Sequence, residues 1–100
     1  MSYSIDYFKE AKIDVREAKT WYKEQKLGLE KRFADSIKLA ILKIKENPLN
    51  YAIRYKDIRI AYPKIFPYGI HFYIDELKNQ ILIVAILHNK RNADTAQKRV

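Results

Sequence analysis

The apolar residues change their spacing at Asn47-Pro48, from one every three or four positions to one every second position. That switch constrains the fold more than any other feature of the chain, because a 3.6-residue period belongs to helices and a 2-residue period to strands. Before it, Phe8, Ala11, Val15, Ala18 and Tyr22 form one stripe, with Lys9, Lys12, Arg16, Lys19 and Lys23 on the complementary face. Gly28 interrupts this helix as a residue tolerant of left-handed geometry. A second stripe, Leu29, Phe33, Ile37, Ala40, Ile41 and Ile44, runs to about Glu46, where Asn47-Pro48 stops it. So short a link predicts an antiparallel helical hairpin. After the switch, Ile58, Ile60 and Tyr62 alternate with Arg59 and Ala61. Phe66, Tyr68, Ile70, Phe72 and Ile74 alternate with Ile65, Gly69, His71 and Tyr73. Gln80 to His88 is almost wholly apolar, as expected of a central strand covered on both faces. Tyr3 to Phe8 reads as a short first strand.

The order strand, two helices, three-strand meander predicts an α+β fold in which an N-terminal strand and an antiparallel helical hairpin pack on a small, mainly antiparallel sheet. One hundred residues fit a single domain spanning 1–100. The second sheet face is then expected to be open. By strand parity, Arg59, His71 and Tyr73 are expected to share it. The polar, basic run 88–100 reads as a tail outside the core.

Charge narrows the partners. Twenty Lys and Arg against 12 Asp and Glu give a formal charge of +8. Residues 1–50 carry 11 basic and 8 acidic side chains and residues 51–100 carry 9 and 4, so the excess is +3 in the first half and +5 in the second. Such a field attracts nucleic acid, the ribosome or an acidic protein. Without cysteine there is neither a disulfide scaffold nor a thiolate metal site, and two histidines 17 positions apart predict no metal. No P-loop, dinucleotide fingerprint or nucleophile elbow is present, and no cofactor is expected. The N-terminus has no signal-peptide pattern and no apolar run is long enough to cross a bilayer, so a cytoplasmic protein without membrane contact is expected.

Metal-free RNA cleavage would need a base for the 2′-OH, an acid for the leaving oxygen and cations for the phosphorane. Arg59, His71, His88 and Arg91 are the residues that could supply them, with Tyr73 as a stacking platform.

Trp21-Tyr22 with Gln25, then Gly28-Leu29 and Phe33, resemble the helical hairpin of the RelE/ParE toxin superfamily. Arg59 in its strand, the run Phe66-Pro67-Tyr68-Gly69-Ile70, and the ending Ile81 to His88 followed by Lys90-Arg91 and Arg99 are similar to that family's later elements. The resemblance covers nearly the whole chain. It implies the toxin of a type II toxin–antitoxin, or plasmid stabilisation, module: a basic cytoplasmic protein neutralised by a cognate antitoxin. RelE-like members cut mRNA on the ribosome, whereas ParE-like members poison DNA gyrase. No Tyr follows Leu87, where several nuclease members place an aromatic residue, and only Lys56 and Lys64 lie near Arg59. These departures favour a ParE-like gyrase inhibitor, with a RelE-like ribosome-dependent mRNA endoribonuclease, or a toxin-fold protein that only binds its partner, as alternatives. Under this reading Arg59, Tyr73, Lys90, Arg91, Lys98 and Arg99 are expected to contact the target. Trp21 and Tyr22 are expected to contact the antitoxin, and removing residues 89–100 is expected to weaken toxicity while leaving antitoxin binding largely intact.

Overall fold

The computed structural model describes residues 2–91 and 94–100. It contains β1 (Ser4–Tyr7), α1 (Lys9–Gln25), α2 (Leu29–Glu46), a 3-10 turn (Pro48–Asn50), β2 (Ile53–Tyr55), β3 (Ile58–Ala61), β4 (Tyr68–Asp75), β5 (Gln80–His88) and α3 (Asp94–Gln97). The strands form one sheet in the order β1-β5-β4-β3-β2. β1 pairs parallel to β5, and every other pairing is antiparallel. The expected α+β architecture is therefore present, with one strand more than the three-strand meander predicted. β2 is only three residues long, too short to show a period.

The two helical stripes bury their predicted residues. Phe33, Ile37, Ala40, Ile41 and Ile44 of α2 join Ala11, Ala18 and Tyr22 of α1 over Ile70, Phe72, Ile81, Ile83 and Ile86 of the sheet. Gly28 makes the hairpin turn at φ 95°, a conformation that costs other L-residues about 1–2 kcal/mol. At one end of the core Tyr22 and Phe33 stack at 5.2 Å, and Phe66 and Tyr68 pack against both rings.

β5 carries the feature that organises the rest. His71 of β4 pairs with Ala85 and Phe72 with Ile83, so Val84 is an extra residue, a β-bulge. Strict alternation from Ile81 and Ile83 would aim Ala85 and Leu87 at the helices. The bulge resets the parity: Ile86 faces the helices, while Val84, Ala85 and Leu87 face the opposite side.

That opposite side is not open. Val84, Ala85, Leu87 and Ile58 pack with Ala96 of α3, which is fully buried, and Phe8, Tyr55 and Tyr73 flank them. The basic tail thus supplies part of a second, smaller core. The expectation of a bare sheet face fails because a short helix can cover a face with one small apolar residue, a signal too sparse to register as a period.

Candidate functional site

Two surfaces combine chemistry-bearing side chains. The first lies at the end of β5. His88 pairs with Tyr68, and their rings meet edge to face at 5.3 Å. The backbone N–H of Lys90 donates to His88 Nδ1 at 3.1 Å, and that of Arg91 donates to the His88 carbonyl at 2.9 Å. When neutral, His88 therefore carries its proton on Nε2. His88, Arg91 and Tyr68 line a recess of about 220 Å³ with Glu17 and Trp21 of α1. Trp21 is 54% exposed and pairs only edge-on with Tyr22. The recess is large enough for one bulky side chain of a partner, with aromatic walls and a cation at its rim.

The second surface is a groove between α1 and α2. A section of about 800 Å³ is lined by Lys12, Arg16, Lys19 and Lys23 from α1 and by Lys31 and Lys38 from α2, against only Glu30 and Asp35. Lys12, Val15, Lys19, Ala34 and Lys38 also line an adjoining apolar section of about 300 Å³ with Ala11, Ile37 and Ile41. The sequence showed the basic face of α1. It did not show that α2 adds cations across from it.

The remaining predicted residues are dispersed. Arg59 pairs across β3–β4 with Phe72, whereas His71 pairs with Ile60, so Arg59 and His71 lie on opposite faces of the sheet. Arg59 donates to the Tyr51 carbonyl. His71 is 7% exposed and shares a hydrogen bond of 2.8 Å with the Tyr55 hydroxyl. Burial lowers its pKa from 6.5 to about 4, more than the opposing Asp14 charge can offset, and the Arg99 charge adds to the lowering. His88 is on β5 beside Tyr68, while Arg59 is on β3 beside Phe72: roughly 13 Å along the strands and roughly 10 Å across them. The set Arg59, His71, His88 and Arg91 thus does not surround one phosphate. Only His88 and Arg91 come together.

Tyr73 is half-buried against Phe8 on the α3 side of the sheet. Tyr22 is 8% exposed inside the aromatic core, so the expected antitoxin contact there falls to Trp21 alone. Lys90, Arg91 and Lys98 are exposed, but Arg99 is not a free cation. Its guanidinium grips Asp14 at 2.6 and 3.0 Å and also donates to the Val84 carbonyl at 3.2 Å. Those Asp14 hydrogen bonds push its pKa above the ordinary value. Asp14 also accepts the Ile86 N–H at 3.0 Å. Asp14 lies three residues after Ala11 and four before Ala18, on the buried stripe, a position that a search for apolar periodicity does not mark.

A family model described as the ParE toxin of type II toxin-antitoxin system, parDE, matches residues 5–93. The chain belongs to the ParE toxin family. Among solved structures, the chromosomal ParDE toxin–antitoxin system from P. aeruginosa superposes with a TM-score of 0.75 at 14% identity, covering 87% of this chain and 96% of that one. The toxin–antitoxin complex RelBE2 from Mycobacterium tuberculosis does so with a TM-score of 0.63 at 15% identity, covering 88% and 99%. At such identities these structures show a shared fold. A comparison with curated proteins finds no match. Among the described residues, no helix of this ParE family member is long and apolar enough to cross a membrane, and no three His, Asp or Glu side chains gather as a metal site would require.

The buried histidine gives a pH expectation. Unfolded, the imidazole takes a proton near pH 6.5, and in the fold it resists until about 4. Folding stability should therefore fall as the pH drops through that window, by at most about 1.4 kcal/mol per unit. Urea midpoints measured at pH 7 and pH 5 should show this loss, and His71→Gln should shrink it. Equal losses in both proteins would place its origin elsewhere.

Proposed function

We propose that this protein is a ParE-like toxin that blocks DNA replication by binding DNA gyrase in the cytoplasm, as one half of a plasmid-stabilising pair. It is held inactive by an antitoxin whose acidic, amphipathic segment lies in the α1–α2 groove. The observation that carries the target reading is the dispersal of Arg59, His71, His88 and Arg91. Proton transfer around one phosphate needs those groups within hydrogen-bond reach of it, whereas binding a protein needs shape and charge. His88, Arg91, Lys90 and Lys98 can offer both. The antitoxin reading rests on the groove, whose apolar floor and six cations suit a segment that orders only on binding.

Induction of the protein alone should arrest growth, and co-expression of the polypeptide encoded beside its gene should restore it. Pulse labelling after induction should show DNA synthesis falling before protein synthesis, and purified gyrase should accumulate cleaved plasmid DNA. Protein synthesis collapsing first, with new 5′ ends in mRNA, would instead establish the ribosome-dependent nuclease.

A further inference from the structure

β1 pairs with β5 only as far as Ile83, where the Phe8 N–H donates to the Ile83 carbonyl at 2.8 Å. Beyond that point α1 begins, and among the described residues no strand continues along this side of β5. The Ile86 N–H and the Val84 carbonyl are instead satisfied by Asp14 and Arg99. One bidentate pair, with side chains 3% and 13% exposed, thus stands in for a strand and fastens the tail to the bulge. Lys56 adds a second tie, donating to the Gln97 and Val100 carbonyls at 3.2 and 3.4 Å. Against this, α3 is four residues long and buries one alanine fully. The tail's position therefore depends on polar ties more than on apolar contact.

We propose that Asp14 and Arg99 are positioning residues for target engagement: their ion pair fixes the tail, and with it Lys98, on the bulge of β5, the strand that runs on into the His88–Arg91 segment. Asp14 lines the His88–Arg91 recess, but in this account its carboxylate serves Arg99 and the Ile86 N–H rather than the target. Asp14 acts through Arg99, and the exposed cations make the contact. The inference deepens the toxin reading above and rests on it. It also adds a cost to the removal of residues 89–100, which was expected to weaken toxicity and to spare antitoxin binding. Deleting Arg99 would leave the Asp14 carboxylate buried beside Ile86 with no counter-charge.

The test compares the wild type with Arg99→Gln, Arg99→Lys and the double variant Asp14→Asn/Arg99→Gln. The double variant keeps two hydrogen-bonding amides of similar shape and leaves no buried unpaired charge. It should fold with a near-native melting temperature, yet lose hydrogen-exchange protection at residues 96–98 by ~10-fold or more. It should lose growth arrest on induction with it. Arg99→Lys, which restores the charge but not the two-pronged geometry, should recover part of both. Growth arrest at wild-type potency in a double variant with a released tail overturns the proposal. So does a loss of arrest that follows melting temperature alone across the variants, since that marks a purely structural pair. Arrest without cleaved DNA from gyrase removes the gyrase reading but leaves the comparison intact. Absence of arrest with wild-type protein removes the toxin reading and the proposal together.

Discussion

Reversing three cations of the helical groove, with Lys12→Glu, Lys19→Glu and Lys38→Glu together, is expected to produce a toxin that its antitoxin no longer controls. All three side chains line both the basic and the apolar sections of the groove. Each substitution replaces attraction to an acidic segment by repulsion across a short distance. Loss of about 3–4 kcal/mol over the three sites corresponds to ~10²–10³ in affinity. The three residues are exposed, so the fold should tolerate the changes to within about 0.5 kcal/mol per site. Titration calorimetry against the co-encoded polypeptide measures the effect, and a salt series adds a second reading. Wild-type affinity should weaken with added salt, whereas that of the triple variant should respond little or in the opposite sense. Undiminished affinity in the triple variant would move the antitoxin to another surface.

The largest expected effect on stability is at Phe33. Its ring is fully buried, stacked on Tyr22 at 5.2 Å and met by Phe66 and Tyr68 at 5.3 and 4.9 Å. Phe33→Ala removes one member of a four-ring cluster that joins both helices to the start of β4. A cost of about 3–5 kcal/mol is expected, a large part of the roughly 5–15 kcal/mol available to a small domain. The melting temperature should fall by roughly 15–30 °C. Leu77→Ala, at a side chain 99% exposed, serves as the control and should change it by no more than a few degrees. A fall of only a few degrees for Phe33→Ala would mean that the aromatic cluster is not the keystone of the larger core.

The helical half was legible because its periods are long. Seventeen and eighteen residues give each stripe four or five turns, and Asn47-Pro48 closes the second. β4 was legible from its alternation over eight residues, and β5 from the length of its apolar run. Parity within a strand could also be read: Arg59 and Ala61 do share a face, as do Ile70 and Phe72. What could not be read was the relation between strands. Placing Arg59 with His71 assumed that the larger apolar set around β3, Ile58, Ile60 and Tyr62, faces the helices, but Ile58 packs in the second core and Ile60 pairs with His71, which turns Arg59 to the helix side. The Val84 bulge was hidden because an uninterrupted apolar run gives no sign of where its alternation resets. The covering role of the tail was not legible because its contribution lies in one alanine and one ion pair, and the pair joins residues 85 positions apart. Of the candidate site, the spacing of His88 and Arg91 in one turn was legible. Their meeting with Trp21 and Glu17 was not, because it depends on how α1 lies across the end of β5.

The parallel pairing of β1 with β5 has a consequence for synthesis. Ser4 meets Gln80 and Tyr7 meets Ile83, and Asp14 must then wait for Arg99. At roughly 5–20 residues per second, the ribosome makes Arg99 about 3–10 s after it completes α2. A nascent chain thus carries the groove-forming helices before it owns either the strand that anchors β1 or the tail that completes the basic surface. Under the proposed reading, an antitoxin already in the cell can meet the hairpin while the chain is still being made, whereas the target is not engaged through the tail until synthesis has passed Arg99. The order of translation then favours neutralisation over poisoning, without any difference in affinity being needed.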